Sequence, residues 1–347
     1  MDALISVDRR QRDIIIATWL VVLIVMVFAM IVIGGITRLT HSGLSMVEWH
    51  PVTGWLPPIG EIAWLEVFDK YKLSPEFQKI NKNMELDGFK SIFWFEYLHR
   101  LWGRLIGLVF LIPFLFFCIA GWVSNKLAPK LLLMFLLGSL QALLGWYMVK
   151  SGLVDRPDVS QYRLTAHFSL ALIIIGIIEW VALGLIFPKC KANKEKSPLG
   201  LFSTIIFVLA FVTAMSGGFV AGLDAGFSYN TFPLMNGSFL PSDLYQLSPF
   251  YLNLFEDIIS VQFNHRLLAQ TLFILVIIMW YKARNADLSP RGRTAVNTLL
   301  VIVLIQVFLG ITTLLYVIPT ALAAFHQAGA VLVFMTALWA TRENNNV

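Results

Sequence analysis

Four histidines, two in each half of the chain, define the chemistry open to this sequence. His99-Arg100-Leu101 recurs as His265-Arg266-Leu267, and His167 recurs as His326. Between them Gln141 and Gly145 recur as Gln306 and Gly310. Upstream, Gly34-Gly35, Gly43, Ser45 and Gly54 recur as Gly217-Gly218, Gly226, Ser228 and Gly237. Spacings shorten between blocks while their order holds, so the chain reads as a duplication carrying one His pair per half. A histidine inside a membrane helix is costly and marks function by default. A helix-to-helix hydrogen bond is the competing reading for any single one, but it does not account for four in matched positions. Zinc and copper sites want a closed cluster of three or four ligands, and neither pair has a Cys or carboxylate companion on its second helix. Two axial imidazoles from facing helices are the pattern of a haem clamped in a four-helix bundle. Two haems, one per half, are the expected occupants.

Charged neighbours refine that picture. Arg100 and Arg266 follow the first histidine of each pair, and a haem propionate near the interface is a partner of the right charge. Snorkelling to the interface is the alternative, and it is the reading for Arg104, which has no second-half equivalent. Glu96 stands three residues before His99, on the same helix face; the matching residue before His265 is Gln262, which cannot ionise. A carboxylate beside one site only assigns chemistry to the first half and electron handling to the second. An ion pair with a nearby Arg is the competing role for Glu96. Glu179 is placed facing the bundle or the inner interface. His41, His50 and Asp224 (the match of His41) read as surface or loop-structuring residues.

The elements that must position these residues are membrane helices. The 347 residues are 58% apolar and only 14% charged, and an apolar run of about 20 residues spans a hydrocarbon core of about 30 Å. Eight such runs occur, roughly 14–35, 93–119, 131–149, 164–187, 201–222, 262–281, 295–316 and 322–341. Without water to satisfy the backbone, each must be helical. The fold expected is an all-α integral membrane protein, its eight spans arranged as two parallel-repeat four-helix bundles over 1–190 and 199–347. The Lys-rich loop 188–198 separates them. The first run is too long for a signal peptide, and no Arg- and Ser-rich presequence precedes it, which points to a bacterial form.

Arg9, Arg10, Arg12, Lys126, Lys130, Lys189, Lys191, Lys194, Lys196, Lys282, Arg284, Arg291 and Arg293 place both termini in the cytoplasm. Lys150, Arg156 and Arg163 run against that bias without reversing it. Every histidine of the two pairs then enters from the outside, roughly 5–10 Å deep at about 1.5 Å per residue. The stretch 60–90 is charged and partly amphipathic and is expected to form one or two short outer helices, with a shorter counterpart at 242–260. Cys118 and Cys190 are not disulfide candidates. The net charge of +5 reflects the loop bias and implies no nucleic-acid partner.

With Glu96-Tyr97-Leu98-His99-Arg100 and its echo Asn264-His265-Arg266, the chain resembles the haem A synthase family. The resemblance extends over the Gly34-Gly35-Ile36-Thr37-Arg38-Leu39-Thr40 segment, His167 and Phe325-His326-Gln327. It implies oxidation of the C8 methyl of haem o to a formyl, giving haem A for terminal oxidases. It also implies haem b held by His265 and His326 as cofactor, and haem o as substrate at His99 and His167, with Glu96 handling protons or stabilising an intermediate. The outer-loop Cys pair of some family members has no counterpart here, which matches the variant shared by proteobacteria and mitochondria. Haem o synthase and an electron donor are the implied partners, and the bacterial inner membrane the implied location. A di-haem protein passing electrons to a quinone is the alternative, against which the Glu96/Gln262 difference argues. A parallel-repeat transporter with histidine proton relays is a third reading, separated by haem content.

Overall fold

A computed structural model of the chain describes residues 8–50, 53–154, 157–188 and 199–345. Arg156, Cys190 and residues 189–198 of the Lys-rich loop lie outside the described residues. Among the described residues the regular elements are all helical: α1 (Arg9–Leu39), the short α2 (Glu61–Lys72) and α3 (Pro75–Lys79), α4 (Leu86–Ile119), α5 (Ala128–Lys150), α6 (Gln161–Ile186), α7 (Gly200–Gly222), α8 (Ile258–Arg284), α9 (Pro290–Leu315) and α10 (Thr320–Asn344). Eight of these are long and apolar enough to cross a membrane, and the protein is a multi-pass membrane protein. Local signals set their ends. Ser289 caps α9 by accepting from the Gly292 amide at 3.0 Å, with Pro290 in the first turn. Asp257 caps α8 through the Ile259 amide.

Contacts divide the chain into two compact units, Met1–Ile178 and Glu179–Val347, the division falling within α6. In the second unit α7, α8, α9 and α10 each touch two neighbours and close a four-helix ring. One end of that ring is a solid apolar core, with Ile206, Val276, Met279, Val296, Leu299 and Ala337 essentially inaccessible. His265 and His326 lie toward the other end, near the first turns of α8 and α10. In the first unit α1 packs along α4. Trp19 of α1 packs its ring 5.3 Å from Phe110 and 5.5 Å from Phe117 of α4, and its indole donates to the Val109 carbonyl at 2.7 Å. His99 stands further toward the opposite end of α4.

Two features exceed the hydropathy reading. α4 begins at Leu86, upstream of its apolar run, and at about 1.5 Å per residue it is longer than a bilayer core requires. Its extra turns are held by an aromatic cluster: Phe89 stacks on Phe68 at 5.0 Å and on Tyr71 at 5.1 Å, and Trp64 meets Phe93 at 5.0 Å. That cluster docks α2 on α4 below Glu96. His41 and Asp224 both take left-handed backbone, φ 50° and 52°, just after α1 and α7 end. Asp and His are among the few side chains that tolerate this region, which explains their matched positions as loop-structuring ones.

α3 carries a buried carboxylate, Glu76, 4% exposed. It accepts from the Tyr71 hydroxyl at 2.9 Å, which in turn accepts from Asn81 Nδ2 at 2.9 Å. Burial pushes the Glu76 carboxyl up from 4.5 to about 7, with the Glu96 charge adding to the rise. The folded segment therefore keeps a proton between those values that the opened segment gives up, so its stability falls as pH rises through that window. Hydrogen exchange of amides 74–81, corrected for intrinsic rate, should show protection falling on the order of 10- to 100-fold from pH 5 to 8. Glu76→Gln should abolish the dependence; wild-type protection that stays flat over this range would contradict it.

Candidate functional site

Space for the four histidine rings comes from four glycines. A Cβ added at Gly34 of α1 would stand 3.0 Å from His99 Nε2, and one at Gly217 of α7 would stand 3.2 Å from His265 Cε1. At Gly145 of α5 and Gly310 of α9 the corresponding distances are 2.9 Å to His167 Cε1 and 2.8 Å to His326 Cε1. Each imidazole thus lies where any other residue would put a methyl group. The second histidine of each pair is also gripped by a glutamine. Gln141 Nε2 donates to the His167 carbonyl at 3.0 Å and lies 3.4 Å from its Nε2. Gln306 Nε2 donates to the His326 carbonyl at 2.9 Å and lies 3.1 Å from its Nδ1. The repeat pointed to these Gln and Gly residues, but spacing alone assigned them no role. Their contacts do.

The arginines have definite partners. Arg100 donates to the carbonyls of Met46 and Glu48 at 2.7 and 2.8 Å. Arg266 donates to Tyr229 and Thr231 at 2.6 and 2.9 Å. Since Ser45 matches Ser228, these are equivalent carbonyls, so each arginine straps the loop after the unit's first helix onto its second. In the first unit Tyr97 and Arg104 add further straps, to the carbonyls of Trp55 and His50, each at 2.7 Å. Arg266 Nε is buried with no hydrogen-bond partner, a donor still available to a ligand.

Glu96 is buried and fully engaged. Its Oε1 accepts from Arg100 at 2.5 Å, and its Oε2 accepts from Ser45 Oγ at 2.7 Å and the Met46 amide at 2.8 Å. These contacts tie the carboxylate to Arg100 and to the Ser45–Met46 segment. Gln262 stands differently, donating to the Tyr229 carbonyl at 3.1 Å while its Oε1 stays buried and unbonded. Glu179 is buried with Oε2 unbonded, and exposed His50 lies 3.3 Å from Glu48.

The spacing of His265 and His326 suits a metal between the two rings. Among the described residues no three His, Cys, Asp or Glu side chains converge, so each unit offers two imidazoles. An imidazole bound through nitrogen at about 2 Å holds its metal roughly 3 Å from the ring centre, which puts two such rings about 6 Å apart. The centroids of His265 and His326 are 6.5 Å apart, the rings perpendicular at 89°. In the first unit His167 Nδ1 is buried without a hydrogen-bond partner. The chemistry of the donor set suits axial haem ligation.

The glycine contacts make a sharp expectation. Gly310→Ala should displace His326 and weaken haem retention about tenfold or more, in line with the 1–3 kcal/mol typical of overpacking. Gly138→Ala in α5, where a Cβ meets nothing within 4 Å, should retain haem as wild type does. Equal haem content in both purified variants would contradict the fit.

Comparison with known proteins identifies the family. A family model, COX15-CtaA, described as cytochrome oxidase assembly protein, matches residues 17–338. A protein of Nitrosospira multiformis named heme A synthase is 53% identical over 330 residues, covering 94% of this chain and 93% of its own length. One of that name from Nitrosomonas eutropha is 50% identical over 342 residues, with 98% and 96% covered. Heme A synthase COX15 of Bos taurus is 42% identical over 351 residues, covering 99% of this chain and 85% of itself. The chain belongs to the COX15-CtaA family of cytochrome oxidase assembly proteins.

Proposed function

We propose that the chain is a haem A synthase, a membrane oxidoreductase that converts the C8 methyl of haem o to a formyl group for terminal oxidase assembly. The observation that carries the reading is the pair of matched constellations, a glycine-backed first histidine and a glutamine-held, glycine-backed second one in each unit. Family membership over nearly the whole chain supports it. In this reading His265 and His326 hold haem b, and His99 and His167 hold the substrate. Haem supplies one-electron redox chemistry when bound, and the protein supplies position and polarity.

Oxidising methyl to formyl removes four electrons, with four protons released when water supplies the oxygen. The chain's own residues hold the reacting edge in place and keep charge near it. Arg100 and Arg266 each fix an outer loop over a histidine, and Arg266 Nε is the donor left for a propionate. Glu96 was open, from sequence, to a proton-handling or an intermediate-stabilising role. Its ion pair with Arg100 and its bonds to Ser45 and Met46 favour the second, a carboxylate that holds Arg100 and the Ser45–Met46 segment in place. Gln262 cannot provide that charge. The reading places the protein in the bacterial inner membrane with both termini inside and the histidines toward the outer face. Haem o synthase would supply the substrate, and a separate donor or acceptor would handle electrons.

The test is extraction and chromatography of haems from cells that make haem o and express the chain. Haem A should appear with wild type. Glu96→Gln should lower the rate on the order of 10²-fold without loss of the haem b site. No haem A from well-expressed wild type would overturn the proposed function; a normal rate from Glu96→Gln would remove Glu96 from the reaction.

A further inference from the structure

The two units differ at the first histidine of each pair. Ser216 Oγ lies 2.7 Å from His265 Nδ1 and donates its own proton to the Thr213 carbonyl at 2.7 Å. With the hydroxyl proton donated to the Thr213 carbonyl, Ser216 Oγ accepts the hydrogen of Nδ1–H. Nε2 of His265 then carries the lone pair. In the first unit the residue before Gly34, which matches Ser216, is Ile33, and no hydroxyl stands there.

We infer that Ser216 is a positioning residue that fixes His265 as the Nδ1–H tautomer, presenting Nε2 permanently to the iron of a resident haem, while His99, lacking that hydroxyl, is the more readily released ligand of a haem that turns over. The inference rests on the reading of His265 and His326 as ligands of the resident haem. Its physics is that of outer-shell partners generally. A hydrogen bond from the far ring nitrogen orients the imidazole and raises its basicity, and loss of such a partner costs about 10–100-fold in metal affinity. A more basic axial imidazole favours ferric over ferrous iron, which lowers the midpoint potential. The duplicated scaffold thus acquires, by one hydroxyl, a tight site and a loose one.

The experiment compares full-length wild type with Ser216→Ala, Ser216→Thr and His265→Ala, each purified with its haem. Ser216→Ala should keep a bound haem but raise its midpoint potential and pass it to excess apomyoglobin about 10–100-fold faster. Ser216→Thr restores the hydroxyl and should return both readouts toward wild type, which a mere packing role would not produce. Ser216→Cys, similar in size but a weak acceptor, should shift both in the direction of the Ala variant and serves if that variant does not accumulate. Unchanged potential and transfer rate in Ser216→Ala and Ser216→Cys, with haem lost from His265→Ala, would overturn the role of Ser216 and leave the resident-haem reading standing. Haem retained with an unaltered spectrum in His265→Ala would overturn the resident-haem reading itself.

Discussion

The approach of each histidine ring to a glycine on the neighbouring helix governs how both units are built. Helices that pack this closely leave no room for an imidazole unless the opposing residue lacks a side chain, and Gly34, Gly145, Gly217 and Gly310 provide that room. In hydrocarbon each ring also needs a polar partner, because the cost of an unsatisfied group cannot be met by water. Gln141 and Gln306 meet part of that need by gripping the backbone as well as the ring of the second histidine. The opposite end of the second unit is filled by aliphatic residues to near-complete burial. Rigidity at one end allows a precise but open arrangement at the other, the division expected of a site built on packed helices.

Duplication supplies two copies of this arrangement, and substitutions at a few positions make them unequal. Glu96 in the first unit accepts three hydrogen bonds and fixes a negative charge beside His99; Gln262 offers an amide at the matching place. Ser216 in the second unit holds the Nδ1 of His265; Ile33 offers no polar atom at its equivalent. A charge favours chemistry, and a fixed tautomer favours permanent ligation. The two units keep in common the arginine straps onto the loops that follow α1 and α7. The contacts they do not share are what the proposed division between substrate and cofactor rests on.

Much of this was legible in the residues. Hydropathy located the eight spans, and the repeated His-Arg-Leu, Gln and Gly identified the parts that matter. What the pattern could not show was direction of contact. That Arg100 and Arg266 bind loop carbonyls follows from how Met46, Glu48, Tyr229 and Thr231 fold back over α4 and α8, a tertiary event with no periodic trace. The early start of α4 escaped hydropathy because its first turns are stabilised by ring stacking with α2 and not by lipid. Ser216 left no signal for the opposite reason: a repeat reveals what is kept, and this residue matters because it is not.

In the proposed function the unit containing His265 and His326 holds the resident haem and the unit containing His99 and His167 holds the one that reacts. The most direct measurement is haem b content per protein in single-alanine variants of all four histidines, purified from cells that make no haem o. The account predicts near-complete loss in His265→Ala and His326→Ala, with wild-type content in His99→Ala and His167→Ala. Loss confined to the His99 and His167 variants, or spread equally over all four, would contradict it.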